Sequence, residues 1–103
     1  MNLLPATLAK KLPPLYSTED VALEDKMAVV KFFHPASSWT WYAIEYDGQD
    51  LFFGLVCGHE TEFGYFSLKE LAGIGKDGTT LPVERDLHFD PTKISKIRSE
   101  QAM

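Results

Sequence analysis

WTWYAIEYDGQDLFFGLV, residues 39–56, is the stretch that decides the fold, because it predicts a β-hairpin. Runs of aromatic and β-branched residues flank Asp47-Gly48, and this arrangement is typical of two antiparallel strands joined by a tight turn. A type I′ turn needs positive φ at both central residues, and glycine adopts that conformation without strain. With Asp47 and Gly48 as that central pair, Tyr42 would lie opposite Phe53. A four-residue loop would shift every pair by two residues and keep both faces.

The predicted hairpin has two faces, because successive side chains of a strand point in opposite directions. The first, called here the Tyr42 face, is expected to meet the core and carries Tyr42, Ile44, Leu51, Phe53 and Leu55. The second, called the Trp face, carries Trp39, Trp41, Phe52, Glu45 and Asp50. The Trp face is too apolar for a fully solvated surface. Either a helix covers it, or it is an exposed aromatic patch that binds a partner.

The rest of the chain predicts short elements around this hairpin. Helices are expected over residues 4–12 and 68–72 and from Asp90-Pro91 onward, and further strands over 28–33, 63–66 and 82–89. Strands that follow each other through tight turns form antiparallel sheets, and segregated helices make the class α+β. We therefore expect one domain over residues 1–103, with a small antiparallel sheet of four to five strands and short N-terminal, middle and C-terminal helices.

Composition limits the partners. The formal net charge is −5, and the lysines are scattered along the chain, so direct binding of nucleic acid is disfavoured. No apolar run approaches the roughly 20 residues that a membrane span needs. The single cysteine, Cys57, cannot form an internal disulfide, which favours a reducing cytoplasm.

A polar row is predicted on strand 82–89, where alternation would place Glu84, Asp86 and His88 on one face. Carboxylates at a strand end can hold a divalent cation that positions water for hydrolysis. The lysine that metal-dependent nucleases place nearby is missing, and the histidines and the single cysteine show no zinc spacing. We therefore predict no catalytic site, no metal and no cofactor. A metal-dependent single-stranded DNA nuclease or DNA-processing factor that uses these three residues is kept as the alternative.

Five segments resemble a bacterial family of unknown function: LPPLYSTED (12–20), KFFHP (31–35), residues 39–56, GYFSLKEL (64–71) and LPVERDLHFDP (81–91). Members of that family recur on plasmids and integrative conjugative elements, and some carry an automatic label of single-stranded DNA endonuclease. The resemblance implies a mobile-element context and provides no catalytic residues. Small acidic proteins from such elements often act against host defence, as anti-CRISPR or anti-restriction proteins do.

The sequence thus leads to one main hypothesis: a non-enzymatic protein-binding module of a mobile element, whose partner is a host nuclease or CRISPR complex. The expected contact patch is Trp39, Trp41 and Phe52, with an acidic rim of Glu45, Asp47 and Asp50. Charge reversal at Glu45 and Asp50 should then weaken partner binding without unfolding the domain. A self-associating scaffold, with the Trp face buried in a homodimer, is the third hypothesis.

Overall fold

The structure is a computed structural model, and it describes residues 1–102. Its elements are α1 (Ala6–Ala9), a 3-10 helix (Leu23–Asp25), β1 (Met27–Ala28), β2 (Val30–Phe33), β3 (Thr40–Tyr46), β4 (Leu51–Cys57), β5 (Thr61–Ser67), α2 (Leu68–Gly73), β6 (Glu84–Arg85), β7 (Thr92–Lys93) and α3 (Ile94–Gln101). Five strands form one antiparallel sheet in the order β5-β4-β3-β2-β6, and β1 pairs with β7 in a second, two-stranded sheet. The α+β class and its antiparallel sheet are confirmed.

Over residues 40–43, β3 pairs with β4 in the register that a four-residue loop would give. Tyr42 pairs with Leu55, as that alternative predicts, and a β-bulge then changes the register between Ala43 and Glu45. Gly48 has a φ of 86°, but Asp47 is not among the residues with positive φ. The type I′ turn with Asp47 and Gly48 as its central pair is therefore wrong.

The bulge changes which face the end of β3 presents. Beyond it, Glu45 pairs with Phe53 and Tyr46 pairs with Phe52. Because paired residues share a face, Glu45 lies on the Tyr42 face and Tyr46 on the Trp face, where its ring stacks on Phe52 at 4.7 Å between centroids. The predicted placement of Glu45 on the Trp face is wrong. The prediction assumed regular alternation of side chains, and the extra residue of the bulge shifts every later side chain of β3 to the opposite face.

Each face of the sheet packs against a hydrophobic cluster. On the Trp face, Leu3, Leu12, Leu71 and Val83 are buried together with Trp41 and Phe52 in one hydrophobic cluster. The cover therefore comes from the N-terminal segment, from α2 and from the segment before β6. On the Tyr42 face, Ile94 and Ile97 of α3 pack in a second cluster: Ala28, Tyr42, Ile44, Leu55 and Cys57 are its other members.

The structure confirms the predicted helix over residues 68–72 and corrects the predicted strand over residues 82–89. The confirmed helix is α2, and Ser67 caps its start, since the Glu70 N–H donates to Ser67 Oγ at 3.2 Å. The predicted strand 82–89 is wrong, because only Glu84–Arg85 pairs with β2. After Asp86 the chain turns, and the His88 N–H donates to Asp86 Oδ1 at 2.9 Å. This bond from an Asp side chain to a backbone N–H two residues on is an Asx-turn, which competes with strand pairing.

Within residues 1–102, no helix is long and apolar enough to cross a membrane.

Candidate protein-binding site

The predicted aromatic patch is mostly interior. Phe52 is 0% exposed and Trp41 is buried beside it, so neither ring is available on the surface. Trp39 is half-buried, because its ring stacks on Trp41 and meets the edge of the His59 ring at 5.6 Å between centroids. The exposed patch expected from Trp39, Trp41 and Phe52 is therefore wrong as a surface, and only Trp39 reaches solvent.

Glu45 is not part of an acidic rim, because it is only 3% exposed. Its carboxylate accepts hydrogen bonds from the backbone N–H groups of Tyr16 and Thr18, at 2.8 and 3.1 Å, and from the Thr18 hydroxyl. Lys26, also buried, donates through Nζ to the carbonyl and the hydroxyl of Thr18. Thr18 thus bridges the Glu45 carboxylate and the Lys26 ammonium group. The network fixes residues 16–18 against the Tyr42 face.

Asp47 and Asp50 do lie at the surface, but both carboxylates organise the backbone. Asp47 Oδ1 accepts hydrogen bonds from the N–H groups of Gln49, Asp50 and Leu51, at 2.8 to 3.0 Å. Asp50 accepts from the Ser67 hydroxyl at 2.6 Å and from the Lys69 N–H at 2.7 Å. The first therefore closes the hairpin loop, and the second ties that loop to the start of α2.

These bonds make the hairpin loop sensitive to acid. Hydrogen bonds from the Asp50, Gln49 and Leu51 backbone hold the pKa of Asp47 below its ordinary 3.8. A pKa that is lower in the folded state contributes stability above the unfolded pKa, and this contribution is lost as the pH falls through the folded value. We expect Asp47→Asn, which keeps the oxygen acceptor without a charge, to lose less melting temperature than wild type on acidification below pH 3.8. Thermal unfolding followed by circular dichroism at stepped pH measures this. Equal acid slopes for the two proteins would contradict it.

A groove on the Tyr42 face gathers four exposed large apolar side chains around one cavity. Tyr16 and Tyr65 are 61% and 51% exposed, and Val21 and Leu23 are exposed beside them. Together with Phe53 they line a cavity of about 380 Å³, which Glu19, Ala22, Lys26 and Glu45 also border. We call it the Tyr16 groove. Exposed apolar side chains that cluster around a concave surface are typical of a binding site.

The backbone at Tyr16 is held in an unusual conformation. Its φ is 68°, and it is the one non-glycine residue within 1–102 with positive φ. A bulky side chain there costs roughly 1–2 kcal/mol relative to the right-handed conformation. The bond from the Tyr16 N–H to Glu45 fixes this geometry and directs the ring to the outside. Such strain is found mostly at functional sites.

The tyrosine hydroxyls add polar groups to the groove. Desolvation, together with the neighbouring Tyr16 side chain, raises the pKa of Tyr65. Tyr65 therefore keeps its proton at neutral pH and can donate a hydrogen bond. The groove thus offers aromatic area together with hydrogen-bonding groups, which is the composition enriched at protein interfaces.

The charge around the groove is negative. Glu19 borders the cavity and Asp20 is next to it in the chain, and neither forms an ion pair with any residue in 1–102. Glu24 and Asp25, at the 3-10 helix, are partly neutralised by Arg98 at 3.4 Å and by Lys93 at 4.0 Å. The one lysine of the groove, Lys26, is buried in the Thr18 network. The groove therefore favours positively charged groups and repels phosphate.

The three residues of the nuclease alternative are not brought together as one set. Asp86 and His88 border a cavity of about 570 Å³ with Lys31 and Tyr42, whereas Glu84 borders another cavity. The predicted common strand face does not exist, because the chain turns after Asp86. No group of three His, Cys, Asp or Glu side chains within residues 1–102 is arranged to hold a metal ion.

Asp86 does have a lysine beside it, contributed by strand β2. Lys31 Nζ lies 3.7 Å from Asp86 Oδ2 and 5.7 Å from the centre of the Tyr42 ring. Burial, with added repulsion from nearby acidic groups, raises the pKa of Tyr42 to about 12. Tyr42 is therefore neutral at physiological pH, and this cavity holds a lysine–aspartate pair beside a neutral hydroxyl.

A comparison with protein families identifies the family of this chain. The model of a family described as Protein of unknown function (DUF2958) matches residues 3–101. The chain belongs to this family. The match includes both sheets, the Tyr16 groove and the Asp86 cavity, so that all of these features lie inside the family domain. Searches of curated proteins and of solved structures find no match.

The sequence interpretation missed the Tyr16 groove. Residues 16–26 (YSTEDVALEDK) are rich in acidic residues and are typical of a solvated connector. The available signal was Tyr16, Val21 and Leu23 among those acidic residues, since a wholly solvated loop does not need three large apolar side chains. Tyr65 carried no such signal, because alternation on a strand does not tell whether a helix covers its face.

Proposed function

We propose that this protein is a non-enzymatic, cytoplasmic protein-binding module of a mobile genetic element, and that the Tyr16 groove is its binding site. The observation that carries the proposal is the groove itself, where Tyr16 and Tyr65 stay exposed while the other Phe, Tyr and Trp side chains of residues 1–102 are at least half-buried. Its aromatic, half-open shape suits a protein segment, and its negative charge opposes nucleic acid. The bound segment carries apolar side chains beside Lys or Arg.

The host-defence part of the proposal rests on the resemblance to proteins of plasmids and integrative conjugative elements. In that context the partner is a component of a host nuclease or CRISPR complex, which the protein inhibits by occupying a basic surface. Nucleic-acid-binding proteins carry such basic surfaces, and an acidic groove complements them. Expression in cells that restrict an incoming plasmid tests this part: transformation efficiency should rise with wild type and should not rise with a groove variant.

The groove can be tested without knowledge of the partner. A random peptide library selected against the full chain should enrich sequences that combine aromatic or aliphatic residues with Lys or Arg. The double variant Tyr16→Ser/Leu23→Ser should weaken binding of the selected peptides at least about tenfold, because two exposed anchors are removed. Added salt should weaken binding to wild type, since acidic side chains at the surface are screened. Fluorescence anisotropy measures both effects.

A matched control is available on another surface. Leu81 and Leu87 are as exposed as the groove residues and do not border the groove, so Leu81→Ser/Leu87→Ser should bind the peptides as wild type does. The proposal is overturned if the two double variants bind equally well, or if the selected peptides are acidic.

The metal-dependent single-stranded DNA nuclease is the second candidate, favoured by one observation, the Lys31–Asp86 pair at 3.7 Å with His88 beside the same cavity. Incubation with single-stranded DNA and Mg²⁺ or Mn²⁺ decides it. Cleavage that is lost in Asp86→Ala would support this candidate, and the absence of cleavage with either metal would eliminate it.

A further inference from the structure

Strand β5 forms one edge of the five-stranded sheet. It pairs with β4 over its whole length, from Leu51 opposite Ser67 to Cys57 opposite Thr61. On its outer side no strand of residues 1–102 pairs with it. An edge of seven residues presents a row of unpaired N–H and C=O groups, to which another strand can add.

This edge lacks the features that usually prevent such pairing. Proteins protect sheet edges with Pro, Lys, bulges or very short strands. The sequence of β5, TEFGYFS, has no Pro and no Lys. Its register with β4 runs without a shift, so no bulge twists it away. The opposite edge is different, because β6 has only two residues.

The pattern of β5 is symmetric about its middle residue, Gly64. In an antiparallel pair of two copies that overlap over all seven residues, Gly64 lies opposite Gly64. Phe63 then lies opposite Tyr65 of the other copy, and Thr61 opposite Ser67. Aromatic pairs and hydroxyl pairs are favourable across strands, and like charges are unfavourable. The only charged residue of the strand, Glu62, faces Phe66 of the other copy.

The pair of Phe63 and Tyr65 across the two copies would also extend a row of aromatic rings that exists within one copy. The Phe53 ring lies 6.1 Å from the Phe63 ring and 5.3 Å from the Tyr65 ring, measured between centroids. All three side chains lie on the Tyr42 face. Pairing of two β5 strands would extend this row across the junction and cover part of Tyr65, which is exposed in one copy.

We propose that β5 pairs antiparallel with β5 of a second copy, centred on Gly64, so that two five-stranded sheets join into one continuous sheet. The dimer is two-fold symmetric, and each copy contributes the same surface. This goes beyond the proposed function and does not depend on it. It also places both Tyr16 grooves on the same face of the joined sheet, where a partner with two basic segments would bind both.

A cysteine at the symmetry centre tests the pairing. A side chain at Gly64 meets nothing within 4 Å, and its φ is not in the left-handed region, so Gly64→Cys should fold normally. Residues directly opposite in an antiparallel pair have Cα atoms about 4.5–5.5 Å apart, which is within the range that disulfides span. Under mild oxidation we expect Gly64→Cys to form a disulfide-linked dimer, seen on non-reducing gels.

The control is an exposed cysteine away from the edge. Leu87→Cys, at a position 65% exposed, should cross-link at least about tenfold more slowly, because it meets another copy only by random collision. Wild type gives the background, since its Cys57 is buried. Equal rates for Gly64→Cys and Leu87→Cys would overturn the proposal.

Sedimentation velocity tests the dimer without a cysteine. Wild type should change from monomer to dimer as concentration rises. Tyr65→Lys should raise the dissociation constant of the dimer at least about tenfold, because lysine on an edge strand opposes strand addition. Leu87→Lys should leave it unchanged. A wild-type monomer at every concentration up to millimolar would also overturn the proposal, whereas peptide binding at the groove would be unaffected by that result.

Discussion

Replacing Glu45 by alanine should lower the free energy of unfolding by about 3–5 kcal/mol. The substitution leaves the N–H groups of Tyr16 and Thr18 without their acceptor in a buried site. It also leaves the buried Lys26 charge without a carboxylate in its network. Removal of one member of such a network costs the desolvation of every group left unpaired, which is why this effect is among the largest in the chain.

Urea unfolding followed by circular dichroism measures the Glu45 effect. Glu19→Ala is the matched control, because Glu19 borders the same groove but is exposed; its effect should stay within about 0.5 kcal/mol. Equal midpoints for the two variants would contradict the role given to Glu45. Because a lysine at position 45 would face buried N–H donors, charge reversal there should unfold the domain, contrary to the expectation from the sequence.

Phe52→Ala is expected to destabilise the domain by about 3–5 kcal/mol. Phe52 is fully buried and its ring packs on three others, those of Phe32, Tyr46 and Phe66, with centroids 4.7 to 5.6 Å apart. The cavity left by alanine cannot close, because the surrounding rings on β3, β5 and β2 are fixed by the sheet.

The same unfolding experiment measures the Phe52 effect. Phe52→Leu, which keeps most of the volume, should cost less than half as much, and Leu87→Ala at the surface should stay within about 0.5 kcal/mol. If Phe52→Ala were as stable as Leu87→Ala, the Trp face would not be the interior that the structure shows.

The sequence was sufficient for the parts of the fold that depend on local patterns. Alternation and turn residues predicted the hairpin, and the helices expected over residues 68–72 and after Asp90-Pro91 correspond to α2 and α3. These signals are short-range, and the residues that produce them are adjacent in the chain. The class and the antiparallel sheet follow from them.

The candidate site depended on features that a single sequence does not display. One extra residue near Ile44 reverses the faces of Glu45 and Tyr46, and no glycine marks this bulge in the sequence. Burial of the Trp face depends on Leu3 and Leu71, which are distant from it in the chain. Asp86 acts as a turn residue and not as a strand residue because its carboxylate accepts the His88 N–H, and Asp occurs in both contexts. Tyr16 is positioned by Glu45, 29 residues further along the chain.

The positive φ of Tyr16 sets stability and binding against each other at one position. Glycine adopts this conformation without the cost that tyrosine has there, so the most favourable backbone residue would be one that has no ring to offer a partner. Engineering for thermal stability would select the replacement of Tyr16, and the product would be a better-folded protein with an empty groove. Under the proposed function, tyrosine is therefore kept at position 16 for its ring, although glycine would be more stable there.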